Sequence, residues 1–109
     1  MKHTKRARLE AKGWRVGSVA EFLELSPAEA ALVETRLALS QTLRERRVAQ
    51  KLTQGELARR LNSSQSRVAK MEAGDKSVSV DLLLKGLFAL GAQPRDVGRA
   101  LQRRATTAA

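Results

Sequence analysis

Apolar residues recur at helical spacing over the longest stretch of the chain that contains neither glycine nor proline, residues 28–54. The pattern predicts one long helix that ends at about Ala49. Arginines at positions 44, 46 and 47 would lie in its last turns, where positive charge complements the helix dipole. The apolar positions are Leu32, Val33, Leu37, Leu39 and Leu43.

Two capping signals predict where helices begin. Residues 26–29 (Ser-Pro-Ala-Glu) combine a serine cap, a proline suited to the first turn and a glutamate that can return to the cap backbone. Residues 53–56 (Thr-Gln-Gly-Glu) repeat the cap and the glutamate, and they predict a short helix that reaches Leu61. The long helix is therefore expected to start after Ser26, and a second helix after Thr53.

A third helix is expected after a short polar turn. Ser64 can cap a helix over residues 65–73, and Gly74 suits the left-handed position that follows many helices. Asn62 tolerates the positive φ that a sharp turn requires. The turn is too short for antiparallel helices and Ala58 permits their close approach, so the spacing predicts a helix-turn-helix. The residues expected to pack on one another and on the long helix are Leu57, Leu61, Val68 and Met71.

Two further helices complete the predicted fold. Ser79 can cap a helix over residues 80–90, closed by Gly91. Pro94 can open a final helix, and residues 106–109 are expected to fray. With no strand pattern in the chain, these elements predict an all-α fold of five helices in one domain, residues 26–105.

The first 25 residues differ in composition from the rest. Residues 1–12 contain five Lys or Arg and a single acid, so disorder is expected there. Residues 18–21 (Ser-Val-Ala-Glu) fit a further capping box for a short helix that includes Leu25. We therefore expect residues 1–25 to form a basic, partly disordered N-terminal extension with a short helix.

The charge balance suggests the kind of partner. The formal net charge is +10, with 21 Lys and Arg against 11 Asp and Glu. A surplus of this size on a small domain attracts phosphates and favours a polyanionic partner such as nucleic acid. A highly charged, soluble surface without such a partner is the other explanation of the same composition.

The sequence lacks the residues that several classes of function require. Cysteine is absent and the single histidine, His3, lies in the basic terminus, so no metal site or disulfide framework is expected. No nucleophile constellation or phosphate-binding glycine loop appears, so we predict a protein that is not an enzyme and needs no cofactor. No apolar run approaches the roughly 20 residues of a membrane span, and no signal peptide follows the basic start. A cytoplasmic location is therefore expected.

Residues 52–74, LTQGELARRLNSSQSRVAKMEAG, resemble the helix-turn-helix of phage repressors and Cro, the XRE family. The Leu-Thr-Gln, Leu-Ala and Met-Glu-x-Gly landmarks all lie in register, and the wider similarity covers roughly residues 39–101. The resemblance implies a compact, lambda-repressor-like helix-turn-helix domain. It also implies a sequence-specific, DNA-binding transcriptional repressor whose third helix enters the major groove.

The resemblance assigns roles to individual residues. Arg67 could reach either a base or a flanking phosphate, and Arg47 and Glu72 match positions that often form a structural ion pair between the first and third helices. Glutamine can bond adenine in two places, and lysine or arginine favours guanine, so the assigned residue types suit base recognition. The base-reading residues would be Gln65, Ser66, Arg67 and Lys70, and the phosphate-binding residues Thr53, Gln54, Ser64, Lys76 and Ser77.

Three positions depart from the family pattern. Gly55 weakens the second helix by about 0.5–1 kcal/mol relative to alanine. Asn62 replaces the common glycine of the turn, and Ser63 stands where an apolar residue usually fills it. These differences bear on the rigidity of the turn more than on the fold.

Proteins with this motif generally bind near-palindromic operators as homodimers, because one recognition helix covers only a few base pairs. Val97 and Leu101 in the last helix are candidates for a dimer surface or, equally, for the domain core.

The first 38 residues exceed what a minimal repressor domain requires, and small XRE proteins built this way resemble HigA-type antitoxins. That resemblance implies an autoregulated type II toxin-antitoxin system and a cognate ribonuclease toxin. Many such toxins are basic, which makes the basic N-terminus an awkward electrostatic match.

Two other functions remain open at the level of sequence. The protein could be a stand-alone repressor without a toxin partner. It could also be an adaptor that uses its helix-turn-helix domain to bridge proteins, with the basic tail in contact with RNA or an acidic partner.

Overall fold

The computed structural model describes the backbone of residues 25–108 and the side chains of residues 25–103. The predicted short helix after Ser18 and the basic segment 1–12 lie outside the described residues. Between residues 25 and 108 there is no β-strand, and the all-α, five-helix prediction is confirmed. The helices are α1 (Pro27–Ala49), α2 (Gln54–Arg60), α3 (Gln65–Ala73), α4 (Val80–Ala89) and α5 (Pro94–Ala108).

The long helix α1 begins at the predicted capping box. The Ser26 hydroxyl accepts a hydrogen bond from the Glu29 amide at 3.1 Å, and the Ser26 amide donates to the Glu29 carboxylate at 2.9 Å. Hydrogen bonds from Ser26, the backbone one first, hold the pKa of Glu29 below its ordinary value. Pro27 occupies the first turn, where its missing amide costs no helical hydrogen bond.

Helices α1 to α4 end in one common motif, in which the chain turns through a residue with positive φ. In each case the amide of this residue and the amide of the next residue donate to carbonyls of the last turn of the helix, the Schellman arrangement. Gly74 adopts the left-handed conformation that its sequence position predicted, and Asn62 adopts the positive φ expected of the turn. The four residues, with their φ angles, are Lys51 (59°), Asn62 (53°), Gly74 (71°) and Gly91 (90°).

Lys51 was not predicted to adopt this conformation, because a side chain with a Cβ atom is disfavoured there by about 1–2 kcal/mol. The turn at Lys51 is held by two backbone bonds, Lys51 N to Val48 O at 2.9 Å and Leu52 N to Arg47 O at 3.1 Å. The Arg47 guanidinium also donates to the Leu52 carbonyl at 2.7 Å. These hydrogen bonds within residues 47–52 offset the local strain.

One hydrophobic core joins α1 to the other helices. The predicted packing of the helix-turn-helix is confirmed, since Leu57, Val68 and Met71 are fully buried and Leu61 packs against them. Gly86 allows α4 to approach closely, because a Cβ there would lie only 3.1 Å from atoms of Leu43 and Met71. The other buried members are Leu39, Leu43, Ala58, Val78, Leu83, Leu87, Leu90 and Ala92.

The apolar stripe of α1 is only partly covered. Leu39 and Leu43 are at most 1% exposed, whereas Leu32 is 47% exposed and Leu37 is 38% exposed. All four residues share the helical spacing that predicted the element. The difference arises because, among the described residues, the core lies against the C-terminal part of α1.

The last helix packs on the domain core and extends further than predicted. Val97 and Leu101 are partly buried and pack against the core, as the core alternative predicted. The backbone of α5 is helical to Ala108, beyond the boundary predicted at residue 105, because no glycine or proline follows Gly98. No helix among residues 25–108 is long and apolar enough to cross a membrane.

Candidate nucleic-acid interface

Helix α2 and the turn after it fix the position of α3. Thr53 caps α2 through its hydroxyl, which accepts from the Glu56 amide at 3.1 Å, while the Thr53 amide donates to the Glu56 carboxylate at 2.8 Å. Hydrogen bonds from Thr53, led by the backbone one, lower the pKa of Glu56. Leu61 ends α2, and Asn62 turns the chain so that α3 can start after Ser64.

Ser64 organises the start of α3. Its hydroxyl accepts a hydrogen bond from the Arg67 amide at 3.2 Å, as expected of a cap. The same oxygen lies 3.2 Å from the hydroxyl of Ser66. The Ser64 hydroxyl is therefore already engaged within the protein, and a phosphate contact at this position would have to share it.

Helix α3 has one buried face and one exposed face. Val68 and Met71 are completely buried, which fixes the rotation of the helix about its axis. The sequence-predicted base readers lie exposed around the remainder of the helix, with Ser66 and Lys70 one turn apart. The exposed candidate residues are Gln65, Ser66, Arg67 and Lys70.

Ala69 is an exposed residue of the same face that the sequence analysis did not single out. It lies four positions after Gln65 and three after Ser66, so it is their neighbour on the helix surface. A methyl group in this position can contact a thymine methyl and lets the helix backbone come close to a groove. The i, i+4 spacing from Gln65 could have identified it.

Arg47 and Glu72 join α1 to α3 behind the exposed face. The Arg47 Nε and Nη2 atoms donate to the two carboxylate oxygens of Glu72 at 2.5 and 3.0 Å. Only 13% of the Arg47 side chain and 4% of the Glu72 side chain are exposed. The hydrogen bond to Glu72 raises the pKa of Arg47 and so favours its charged form.

Gln54 belongs to this cluster as well as to the start of α2. Its Nε2 atom donates to Glu72 Oε1 at 3.1 Å, so the carboxylate is bonded by both side chains. One amide N–H of Gln54 is thereby used inside the protein and the other can serve a phosphate. Gln54 thus lies where a phosphate ligand was expected, and it also makes a structural hydrogen bond to Glu72 that the sequence did not predict.

The loop between α3 and α4 carries the last two candidate residues. Lys76 and Ser77 are exposed, and the Ser77 amide donates to Asp75 Oδ1 at 2.8 Å. Hydrogen bonds from Ser77 hold the pKa of Asp75 below its ordinary value. The exposed Lys76 side chain provides a positive charge, and the exposed Ser77 a hydroxyl, that a phosphate could meet.

Among the side chains that the structure describes, residues 25–103, there is no group of three or more His, Cys, Asp or Glu that could bind a metal ion. The candidate interface instead offers amides, hydroxyls and positive charges, the donors that bind phosphates and base edges.

Comparison with known families matches residues 43–85 to the family described as Helix-turn-helix. The match begins within α1 and ends within α4, so it contains the whole of α2, the turn and α3. Comparisons with curated proteins and with solved structures give no match. A domain of this family binds DNA and is typically not an enzyme. The matched segment and the lambda-repressor-like arrangement of five helices together are typical of a DNA-binding helix-turn-helix domain.

Proposed function

We propose that the protein is a sequence-specific transcriptional repressor that inserts α3 into the major groove of operator DNA. The observation that carries this proposal is the two-sided character of α3: Val68 and Met71 are fully buried, while Gln65, Ser66 and Lys70 are exposed. A helix anchored in this way presents its polar side chains at a constant angle. Such side chains can distinguish base pairs by about 1–3 kcal/mol for each good contact.

The phosphate contacts in this proposal flank the base-reading helix in the chain. Thr53 and Gln54 precede it at the start of α2, and Lys76 and Ser77 follow it in the loop before α4. Phosphate contacts set the register of a protein on the duplex without specifying sequence. Ser64 contributes through the first turn of α3, and Arg67 contacts either a base edge or a flanking phosphate.

Selection of bound sequences from random DNA tests the repressor proposal most directly. We expect a near-palindromic site with half-sites about one helical turn apart, since a homodimer would place one α3 in each half-site. Binding should weaken steeply with salt, by about −0.9 in the log–log slope for each phosphate neutralised. Recovery of random sequence, or an affinity that does not change with salt, would count against the proposal.

A second candidate function concerns the part of α1 that precedes the family match, residues 27–42, here termed the α1 extension. We propose that it binds a cognate ribonuclease toxin, which would make the protein an autoregulating HigA-like antitoxin. Its exposed apolar residues, Leu32 and Leu37, lie on a segment whose acids are Glu29 and Glu34. The sole base of this segment, Arg36, donates to a backbone carbonyl of the domain.

Charge complementarity favours a basic partner for this surface. The basic character of residues 1–12 argued against a basic toxin, but the α1 extension offers acidic and apolar side chains of its own. Surfaces that combine exposed apolar residues with complementary charge are typical of protein interfaces. This observation supports the antitoxin function over the stand-alone repressor.

Co-purification with the product of a neighbouring toxin gene tests the antitoxin proposal. Leu32→Asp should abolish the complex, whereas Val48→Asp should not, because Val48 is also exposed, at 55%, but lies outside the α1 extension. DNA binding without any toxin complex would favour a stand-alone repressor. A complex with a protein partner in the absence of DNA binding would favour the adaptor function.

A further inference from the structure

The loop between α3 and α4 is attached to α1 at two points. Near its end, Arg36 Nε donates to the carbonyl of Val78 at 3.2 Å, and Val78 itself is 3% exposed. At its start, the backbone of Gly74 lies so close to α1 that an added Cβ would be 2.9 Å from Leu37 Cδ2. The exposed residues Lys76 and Ser77 lie between these two points.

On its C-terminal side the loop is attached to the rest of the domain by the Arg36 hydrogen bond and by the buried side chain of Val78. The amides of Ser77 and Val78 both donate to Asp75, at 2.8 Å to the carboxylate and 3.0 Å to the carbonyl. These local bonds shape the turn, and the Asp75 amide, which donates to the Lys70 carbonyl at 3.1 Å, joins its start to α3. Arg36 adds a bond from a different helix, 42 positions earlier in the chain, and so holds the end of the loop against α1.

We propose that Arg36 is a positioning residue for DNA binding, which fixes the α3–α4 loop so that Lys76 and Ser77 meet a phosphate. The inference rests on the proposed repressor function. It extends the functional unit beyond the family match, which begins at residue 43, into the α1 extension. Arg36 acts through Val78 and the loop backbone and need not touch DNA itself.

Substitutions at Arg36 separate positioning from simple charge. Arg36→Gln removes the charge, and Arg36→Lys keeps it but replaces the planar guanidinium that donates to Val78. Arg44→Gln is the matched control, because Arg44 is an exposed arginine on the same helix. We expect both Arg36 variants to weaken operator binding by about tenfold, the effect of losing one hydrogen bond from a charged donor. Arg44→Gln should change the affinity by less than about twofold.

Coupling with Lys76 tests the mechanism. Lys76→Ala should cost affinity in the parent but much less in the Arg36→Gln background, because the misplaced loop no longer delivers Lys76 to its phosphate. Additive losses would show that Arg36 does not act through the position of Lys76 and would overturn the proposal. Thermal stability measured alongside identifies any variant that fails to fold.

Amide hydrogen exchange tests the same proposal without DNA. The Ser77 and Val78 amides should exchange about tenfold faster in Arg36→Gln than in Arg44→Gln, since the end of the loop loses its hydrogen bond to α1. Unchanged exchange would overturn the positioning role even if DNA binding were intact. Exchange could also be faster in Arg36→Gln while the parent protein binds no DNA. That result would refute the repressor function, but Arg36 would still be the residue that holds the loop.

Discussion

Arg47 and Glu72 form a two-pronged ion pair that ties the end of α1 to the recognition helix α3, with distances of 2.5 and 3.0 Å. Gln54, at the start of α2, donates a third hydrogen bond to the same carboxylate. Three helices therefore meet at one buried acid. The angle at which α3 is presented depends on this acid as well as on the apolar core.

Glu72→Ala should destabilise the domain by about 3 kcal/mol, because it leaves the largely buried Arg47 charge without a partner. The free energy of unfolding in urea measures the effect. Asp81→Ala is a suitable control, since Asp81 is an exposed acid on α4, and it should change stability by no more than about 0.5 kcal/mol. Equal midpoints for Glu72→Ala and the parent protein would contradict a structural role for the pair.

Lys70→Ala should weaken specific binding much more than non-specific binding, by about 1–3 kcal/mol, because the lysine is assigned to a base edge. Gln54→Ala should weaken both with little change in sequence preference, as expected of a phosphate contact. Affinities for operator and unrelated DNA, compared at one salt concentration, measure the difference. Lys85→Ala is the control for charge, because Lys85 is exposed on α4. Uniform loss of affinity for Lys70→Ala across unrelated sequences would refute its base-reading role.

Lys51→Gly should stabilise the domain by about 0.5–1 kcal/mol, since glycine adopts a φ of 59° without the strain of a Cβ atom but loses more chain entropy on folding. Thermal denaturation of the two proteins measures the gain. Lys51→Ala removes the same charge and retains the Cβ, so it should show no comparable gain. If the alanine variant were as stable as the glycine variant, strain at this turn would not be the cause.

Stability should fall on acidification, in part through the capping boxes. The pKa of Glu56 is lowered from its ordinary value of 4.5 by hydrogen bonds from Thr53. The folded state therefore favours the charged carboxylate, and its contribution is complete above the ordinary pKa and is lost as the pH falls through the lowered one. The same direction applies to Glu29 and its bonds from Ser26.

Glu56→Gln keeps a hydrogen-bond acceptor at the cap but does not titrate. Its melting temperature should fall less than that of the parent between about pH 6 and about pH 3. Glu34→Gln, at an exposed glutamate that belongs to no capping box, should retain the pH dependence of the parent. If the melting temperatures of the parent and of Glu56→Gln fell in parallel with pH, the Thr53–Glu56 capping box would not contribute to the pH dependence of stability.

Much of the candidate site could be predicted because its determinants are local. The cap Ser64, the turn residue Asn62 and the left-handed Gly74 act within a few residues of their own position, so their types and spacing predict the bounds of α3. The exposed face of α3 follows from the same spacing once Val68 and Met71 are assigned to the core.

Contacts between residues far apart in the chain could not be predicted in the same way. The bond from Gln54 to Glu72 and the bond from Arg36 to Val78 depend on how helices pack, which no local pattern specifies. The turn at Lys51 was missed for another reason: its hydrogen bonds are local, but its residue type disfavours the conformation that they hold.

By itself, the sequence determined the five helices, their caps and the helix-turn-helix, because capping and helical periodicity act between residues at most a few positions apart. Only the tertiary structure decided which apolar residues are covered. Leu32 and Val97 both lie on apolar stripes of the expected spacing, yet Leu32 remains exposed and Val97 packs against the core. Burial depends on which surface lies opposite a side chain, and that is a property of the packed helices rather than of any one of them.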